Sequence, residues 1–243
     1  MIAASAFDVR LAAARAISPT VRHLVFERVD GAPFEFAPGQ WVNLLMPLPS
    51  GEIKRSYSIA SAPDGSPRFE LCVTRVEGGP GSGFLHAIEE GQCLRAVGPQ
   101  GLFTREANDA SPSLFVATGT GVAPFRSMLR AAIASGSEAP LWVLFGARFE
   151  EDVVYRDEFE ALAAAHSNVR YHVTLSRAAE GWTGRRGYVQ LHAPEILKAL
   201  TEAAEAPPHV YICGLDRMVS TVKDLCRKDL GVDRKRVHVE RYD

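Results

Sequence analysis

The spacing of apolar and polar positions divides the chain into two halves with different periods. In the first half, short β-like runs fall at 7–14, 21–28, 40–46, 55–60, 69–76 and 92–97, separated by Pro and Gly clusters at 37–39, 47–51 and 63–67. Short strands divided by turn signals at this spacing predict a small closed barrel of six antiparallel strands. The stretch 105–113 is polar, holds Pro112 and carries few aliphatic residues, and beyond it the pattern changes. Apolar runs at 114–117, 141–145, 169–175, 210–213 and 237–240 alternate with helix-like segments near 124–134, 156–166, 191–204 and 216–229. Alternation of this kind predicts a Rossmann-like, parallel five-stranded α/β domain with helices on both faces of its sheet. The expected boundary therefore separates a β-barrel domain over 1–108 from an α/β domain over 109–243.

Four motifs sit at the ends of these elements. Arg55-Ser56-Tyr57-Ser58 lies on an extended run, so Arg55 and Tyr57 share a face. A guanidinium there can grip a phosphate with two hydrogen bonds while the ring covers a flat heterocycle and Ser58 reaches its polar edge, which suits a flavin nucleotide. The same tetrapeptide also suits an ordinary strand with a surface Arg. Gly79-Pro80-Gly81-Ser82-Gly83 joins a strand-like run to a helix-like run, where first-turn amides form an anion site fit for a pyrophosphate; Ser82 as a plain helix cap is the alternative. The run 114–117 leads into Thr118-Gly119-Thr120-Gly121-Val122-Ala123-Pro124, a strand, glycine turn and helix start that cradle a nucleotide diphosphate. Pro124 stands where a Rossmann fingerprint has its third glycine, so the motif leaves the nucleotide open. Finally, 210–212 delivers Cys213-Gly214 to the carboxyl end of a strand, either facing a ligand or simply buried as a small hydrophobe.

Taken together and in this order, the motifs resemble the ferredoxin-NADP reductase family of flavin and pyridine-nucleotide oxidoreductases, over nearly the whole chain from about Phe7 to Tyr242. The resemblance implies FAD on Arg55, Ser56, Tyr57 and Ser58, on Cys72, Val73 and Thr74 of a second flavin strand, on Gly79, Gly81 and Ser82 of the pyrophosphate loop, and on Thr120 and Tyr242. It implies NADP on Gly119, Thr120 and Gly121, on Ser176, Arg177, Arg186 and Tyr188 around the 2′-phosphate and adenine, and on Cys213 and Gly214 beside the nicotinamide. Ser58, Cys213 and Glu240 are the implied catalytic residues: Ser58 near flavin N5, Cys213 against nicotinamide C4, and Glu240 polarising the carboxamide or passing protons. The chain end Val239-Glu240-Arg241-Tyr242 resembles that of plant-type and some bacterial members, in which a terminal aromatic stacks on the flavin, except that Asp243 follows here. No Asp or Glu closes the 169–175 run, where an acid would select NAD, so NADPH is the expected donor.

Composition fits this expectation. The 243 residues are enough for two cores, and 27 Lys+Arg against 29 Asp+Glu give a net charge of −2, neither a nucleic-acid stripe nor an acidic tail. Cys72, Cys93, Cys213 and Cys226 are widely spread, without the clustering of an iron–sulfur centre, and the seven histidines show no metal-ligand spacing. The expected protein is a cytoplasmic monomer with no membrane segment and no metal. Its expected acceptor is a ferredoxin or flavodoxin, met by cations among Arg217, Lys223, Arg227, Lys228 and 234–236. Three other readings remain open: an NADH-dependent reductase component of an oxygenase system, a free flavin reductase, and a flavin electron-transfer subunit of a larger complex.

Overall fold

The structure is a computed structural model that describes residues 6–242; Asp243, expected to bear on the placement of Tyr242, lies outside them. The chain divides into two compact units, Met1–Ala107 with Ala123–Ala134, and Asn108–Val122 with Ser135–Asp243. A boundary at 108/109 would place 123–134 in the second domain, whereas that helix groups with the first unit.

The first unit holds strands β1 (Phe7–Ser18), β2 (Val21–Arg28), β3 (Trp41–Leu48), β4 (Gly51–Ser58), β5 (Arg68–Thr74) and β6 (Cys93–Gln100), with helix α1 (Pro80–Ala87) between the last two. They form one sheet in the order β4-β3-β6-β1-β2-β5, antiparallel throughout. An antiparallel bridge from Ile59 to Leu71 links the segment after β4 to β5 and brings the two ends of the sheet together. Alternate residues such as Val9 and Leu11, Val42 and Leu44, and Phe69 and Leu71 are fully buried, which is why strands with a period of two close around a single core.

Helix α2 (Ala123–Ala134) packs within this unit. The Phe125 ring meets Phe103 with centroids 5.9 Å apart. Its Arg126, only 4% exposed, donates to the carbonyl of Ala60 at 2.8 Å and pairs with Glu70 of β5. Burial alone would raise the Glu70 carboxyl, but the charge and hydrogen bond of Arg126, with His23 and Arg130 behind them, hold it below the ordinary carboxylate range.

The second unit is a parallel sheet of β7 (Ser113–Thr118), β8 (Leu141–Ala147), β9 (Val169–Leu175), β10 (Arg185–Arg186), β11 (His209–Leu215) and β12 (Val237–Tyr242), in the order β10-β9-β8-β7-β11-β12. Helices α3 (Arg156–Ala165), α4 (Val189–Glu202) and α5 (Asp216–Asp224) connect its strands. Leu114, Val116, Val210 and Ile212 form one buried layer with Val189, Ile196, Val219 and Val222 of α4 and α5. On the opposite face Phe159 of α3 stacks on Tyr171 at 5.1 Å. Five strands were expected and six are present, because the two residues of β10 are too short to show a period. The last helix was expected as one element over 216–229. It changes at Leu225–Asp229 into a π turn, in which the N–H of Leu230 donates to the carbonyl of Leu225 at 3.0 Å.

Candidate active site

In the first unit the candidate residues converge on β4, β5 and α1. Tyr57 and Ile53 share one face of β4 and pack against the core, while Arg55, between them on that face, stays exposed. Burial pushes the Tyr57 hydroxyl up to about 12, so the ring is a neutral, partly covered plate at neutral pH. Arg55 donates to the carbonyl of its neighbour Lys54 at 2.8 Å. Ser56 points the other way, its hydroxyl 2.9 Å from Oδ1 of Asn43 on β3. Ser58 closes the strand and is 7% exposed. Opposite, Cys72 and Val73 of β5 are buried and Thr74 is half-buried.

Helix α1 completes this group. A Cβ on Gly81 would lie 3.1 Å from Cγ of Arg55 and from Cε of Met46, so the helix's first turn rests directly on the Arg55 stem. A larger residue there would require those two side chains to give way by a few tenths of an ångström. Pro80 occupies the first turn and carries no N–H, and Gly83 N–H is taken by the Gly79 carbonyl at 2.9 Å, which leaves the first-turn amides of Gly81 and Ser82 on the side of the helix start that rests on the Arg55 stem. The Ser82 hydroxyl itself turns inward: it accepts from Val76 N–H at 3.0 Å and lies 3.2 Å from the Gly79 carbonyl. Its side chain closes the 76–82 turn.

In the second unit the candidates gather at the carboxyl edge of the sheet, where parallel α/β sheets bind ligands. Gly119, Thr120 and Gly121 follow β7 in a 3-10 turn, and Cys213-Gly214 lie near the end of β11. A Cβ on Gly121 would strike the Cys213 carbonyl oxygen at 2.4 Å, and one on Gly214 would strike Oγ1 of Thr118 at the same distance, so the two loops are pressed together. Glu240 of β12 is in register with Cys213, and the Tyr242 side chain also lies beside that thiol. Cys213 is fully buried, and burial, reinforced by Glu240, raises its pKa well above the ordinary thiol value. It is a thiol at neutral pH and sits in this structure as a small buried hydrophobe, the second of the two readings its sequence left open.

The third cluster surrounds β9 and β10. Ser176 and Arg177 continue from β9 with backbone bonds to the carbonyls of Ala147 and Arg148, at 3.0 and 2.9 Å. Arg177 lines a cleft of about 250 Å³ with Phe149, Glu150, Glu151 and Ala179. Glu150 is paired with Arg156. Tyr188, at the start of α4, is 64% exposed, an aromatic plate open to stacking. Arg186 is engaged differently from Arg177. Its guanidinium donates to the carbonyls of Ala178, Ala179, Glu180 and Trp182, at 2.8 to 3.2 Å, and so gathers the 178–182 loop around itself.

The sequence names Thr118 as the first residue of the nucleotide-cradling turn but gives its side chain no role; its Oγ1 is buried without a hydrogen-bond partner at the start of that turn. Its position between a buried strand and Gly119 was the available signal. An orphaned hydroxyl, a first-turn amide pair beside a guanidinium and the absence of an acid closing β9 together fit a flavin dinucleotide and a pyridine nucleotide. Among the described residues no group of three His, Cys, Asp or Glu side chains is arranged to hold a metal ion.

An oxidoreductase FAD-binding domain family matches residues 8–104, and an oxidoreductase NAD-binding domain family matches residues 115–224. The chain is 64% identical to ferredoxin–NADP reductase B of Sorangium cellulosum (strain So ce56), over the full length of both proteins. It is 32% identical to the glycine betaine monooxygenase reductase subunit of Pseudomonas aeruginosa (strain UCBPP-PA14), over 91% of this chain and 60% of that protein. Among solved structures, a cytochrome P450 reductase from Amycolatopsis superposes with a TM-score of 0.81 at 25% identity, covering 99% of this chain and 71% of that one. Ferredoxin-NADP+ reductase from Plasmodium falciparum with 2′P-AMP superposes at 0.79 and 21% identity, over 98% and 97% of the two chains, a likeness of fold.

Proposed function

The chain belongs to the ferredoxin–NADP reductase family of flavin and pyridine-nucleotide oxidoreductases, and from that premise we propose how its residues divide the work: 1–108 as the FAD-binding domain and 109–243 as the NADP-binding domain. The enzyme transfers hydride between NADPH and FAD and exchanges electrons with a ferredoxin. The observation that carries the assignment of residues is the apposition of Arg55 and the first turn of α1, a two-part anion site that suits a pyrophosphate better than a single phosphate. Stopped-flow reduction by NADPH and by NADH, followed by electron transfer to a ferredoxin and a flavodoxin, tests the whole reading. A protein reduced by neither nucleotide would overturn it.

Bound FAD supplies both the two-electron chemistry with the pyridine nucleotide and the one-electron chemistry with the acceptor. The chain supplies binding and orientation. Tyr57 offers a neutral ring as a platform, Ser58 a buried hydroxyl at the end of β4, and the Cys213 thiol an uncharged surface next to Glu240, the group able to hold a proton at that edge. The Thr118 hydroxyl, lacking a protein partner, is assigned to the nucleotide, as are Gly119, Thr120, Gly121 and Gly214. Tyr188 takes the adenine.

Arg177 and Arg186 are expected to behave differently. Arg177→Ala should raise the KM for NADPH about tenfold and leave the KM for NADH nearly unchanged, because only NADPH carries a charge for it to meet. Arg186→Ala should raise both, because it releases the 178–182 loop from which Ala179 lines the cleft. Steady-state kinetics with both nucleotides check this. NADH as the working reductant is the second reading, favoured by the carboxylates of Glu150 and Glu151 in the same cleft. Equal KM changes for the two nucleotides in Arg177→Ala would favour it.

The acceptor is proposed to be a small acidic ferredoxin or flavodoxin, drawn by Arg217, Arg227, Arg234 and Lys235, which are exposed. Lys228 is instead paired with Asp224, and Arg236 donates to the Pro207 carbonyl. The association rate should fall steeply as salt rises, and Arg227→Glu with Lys223→Glu should lower it further at low salt. A rate indifferent to salt would remove this docking surface. No helix among the described residues is long and apolar enough to cross a membrane, and we place the enzyme, with its four free cysteines, in the cytoplasm.

A further inference from the structure

We propose that Arg22 is a positioning residue for the dinucleotide part of the flavin, acting through α1. Arg22 lies on β2, half-buried, and its Nη1 donates to the carbonyl of Leu85 at 3.0 Å and to that of Ile88 at 2.9 Å. These oxygens belong to the end of α1, where carbonyls have no partner within the helix. A cation at that end also complements the helix dipole.

The helix needs such a tether. Eight residues span about 12 Å and two turns, too short to hold an orientation by backbone bonding alone. Three side chains from the helix or facing it fix it instead: Ser82 ties its start to Val76, His86 Nε2 lies 3.0 Å from the Val73 carbonyl of β5, and Arg22 ties its end to β2. Leu85 and Ile88, the residues whose carbonyls Arg22 holds, are also its buried anchors. The opposite end sets Gly81 of the first turn against the stem of Arg55. In so short a rod, a tilt released at the last turn is delivered to the first. Arg22 thus sets the aim of the anion site without touching the ligand. The inference rests on the reading that α1 and Arg55 share the two phosphates of FAD.

The test compares FAD and FMN binding, by flavin fluorescence, to stripped wild-type, Arg22→Met and Arg22→Lys proteins. Methionine keeps an unbranched stem and removes both donors. Its Kd for FAD should rise about tenfold, with the Kd for FMN, which lacks the second phosphate, changed by less than about twofold. Arg22→Lys, able to keep one bond, should fall between wild type and Arg22→Met for FAD, and it decides the matter if Arg22→Met does not fold. Equal losses for both flavins would make Arg22 merely structural, and an unchanged FAD affinity would give it no role; either overturns the proposal. Wild-type protein that binds FMN as tightly as FAD would instead remove the pyrophosphate reading of α1 beneath it.

Discussion

Arg55→Ala is expected to give a folded protein that purifies without its yellow colour. The side chain is exposed and ends no core contact beyond its stem against Gly81, so the barrel should survive its loss. What disappears is a guanidinium next to the free amides of α1, a charge-assisted pair of hydrogen bonds to phosphate of about 3 kcal/mol, or about a hundredfold in Kd. Wild type should release FAD, not FMN, when denatured. Flavin titration of the stripped variant checks the magnitude. A variant that retains FAD with unchanged affinity would show that the α1 amides suffice and that Arg55 is only a surface charge. Ser82→Ala should behave differently, because its hydroxyl bonds to Val76 and Gly79: the expected loss acts through the shape of the turn, not through a contact with phosphate.

Arg126→Met is expected to destabilise the first unit by about 3 kcal/mol. The substitution keeps most of the buried volume but strands Glu70 and the Ala60 carbonyl without their shared donor. The pH dependence gives the pair a signature. Because the Glu70 carboxyl is held below its ordinary value of 4.5, its contribution is present above that pH and is lost as pH falls through its lower folded value. The stability gap between wild type and Arg126→Met should therefore close in acid. Urea unfolding at neutral and acid pH measures it. A gap that stays constant would mean the effect is packing around α2, with no ionic part.

The two halves of the chain were readable from period alone because each strand either buries one face or two. Runs such as 7–11, alternating, and 141–145, apolar throughout, announce which. Where the pattern failed, the local signal was absent. Arg185-Arg186 form a strand only because β9 offers a free edge, and nothing in two charged residues says so. The last helix looked continuous to 229, since Leu225, Cys226 and Leu230 keep an apolar stripe, yet its backbone slips to a wider turn at Leu225. That slip also shifts Arg227 relative to Lys223, so the two do not stand at the spacing of a regular α-helix.

Residue types and their order along the chain determined the change from an antiparallel to an α/β pattern and the class of both cofactors, because those depend on contacts between near neighbours: an alternating strand, a glycine before a helix, an arginine two residues from a tyrosine; that α2 belongs with the first unit was decided by packing. Which guanidinium serves a ligand was decided only by tertiary structure. Arg55, Arg177 and Arg186 look alike in sequence, but Arg186 spends its donors on four carbonyls of its own loop, while Arg55 donates to the carbonyl of its neighbour Lys54 and lays its stem against α1. Arg22 and Arg126, unremarked in the sequence, acquire partners 56 to 66 positions away. A hydrogen-bond donor is assigned by what the fold brings within 3 Å of it, and for side chains this long that choice is settled in space, after the strands and helices are in place.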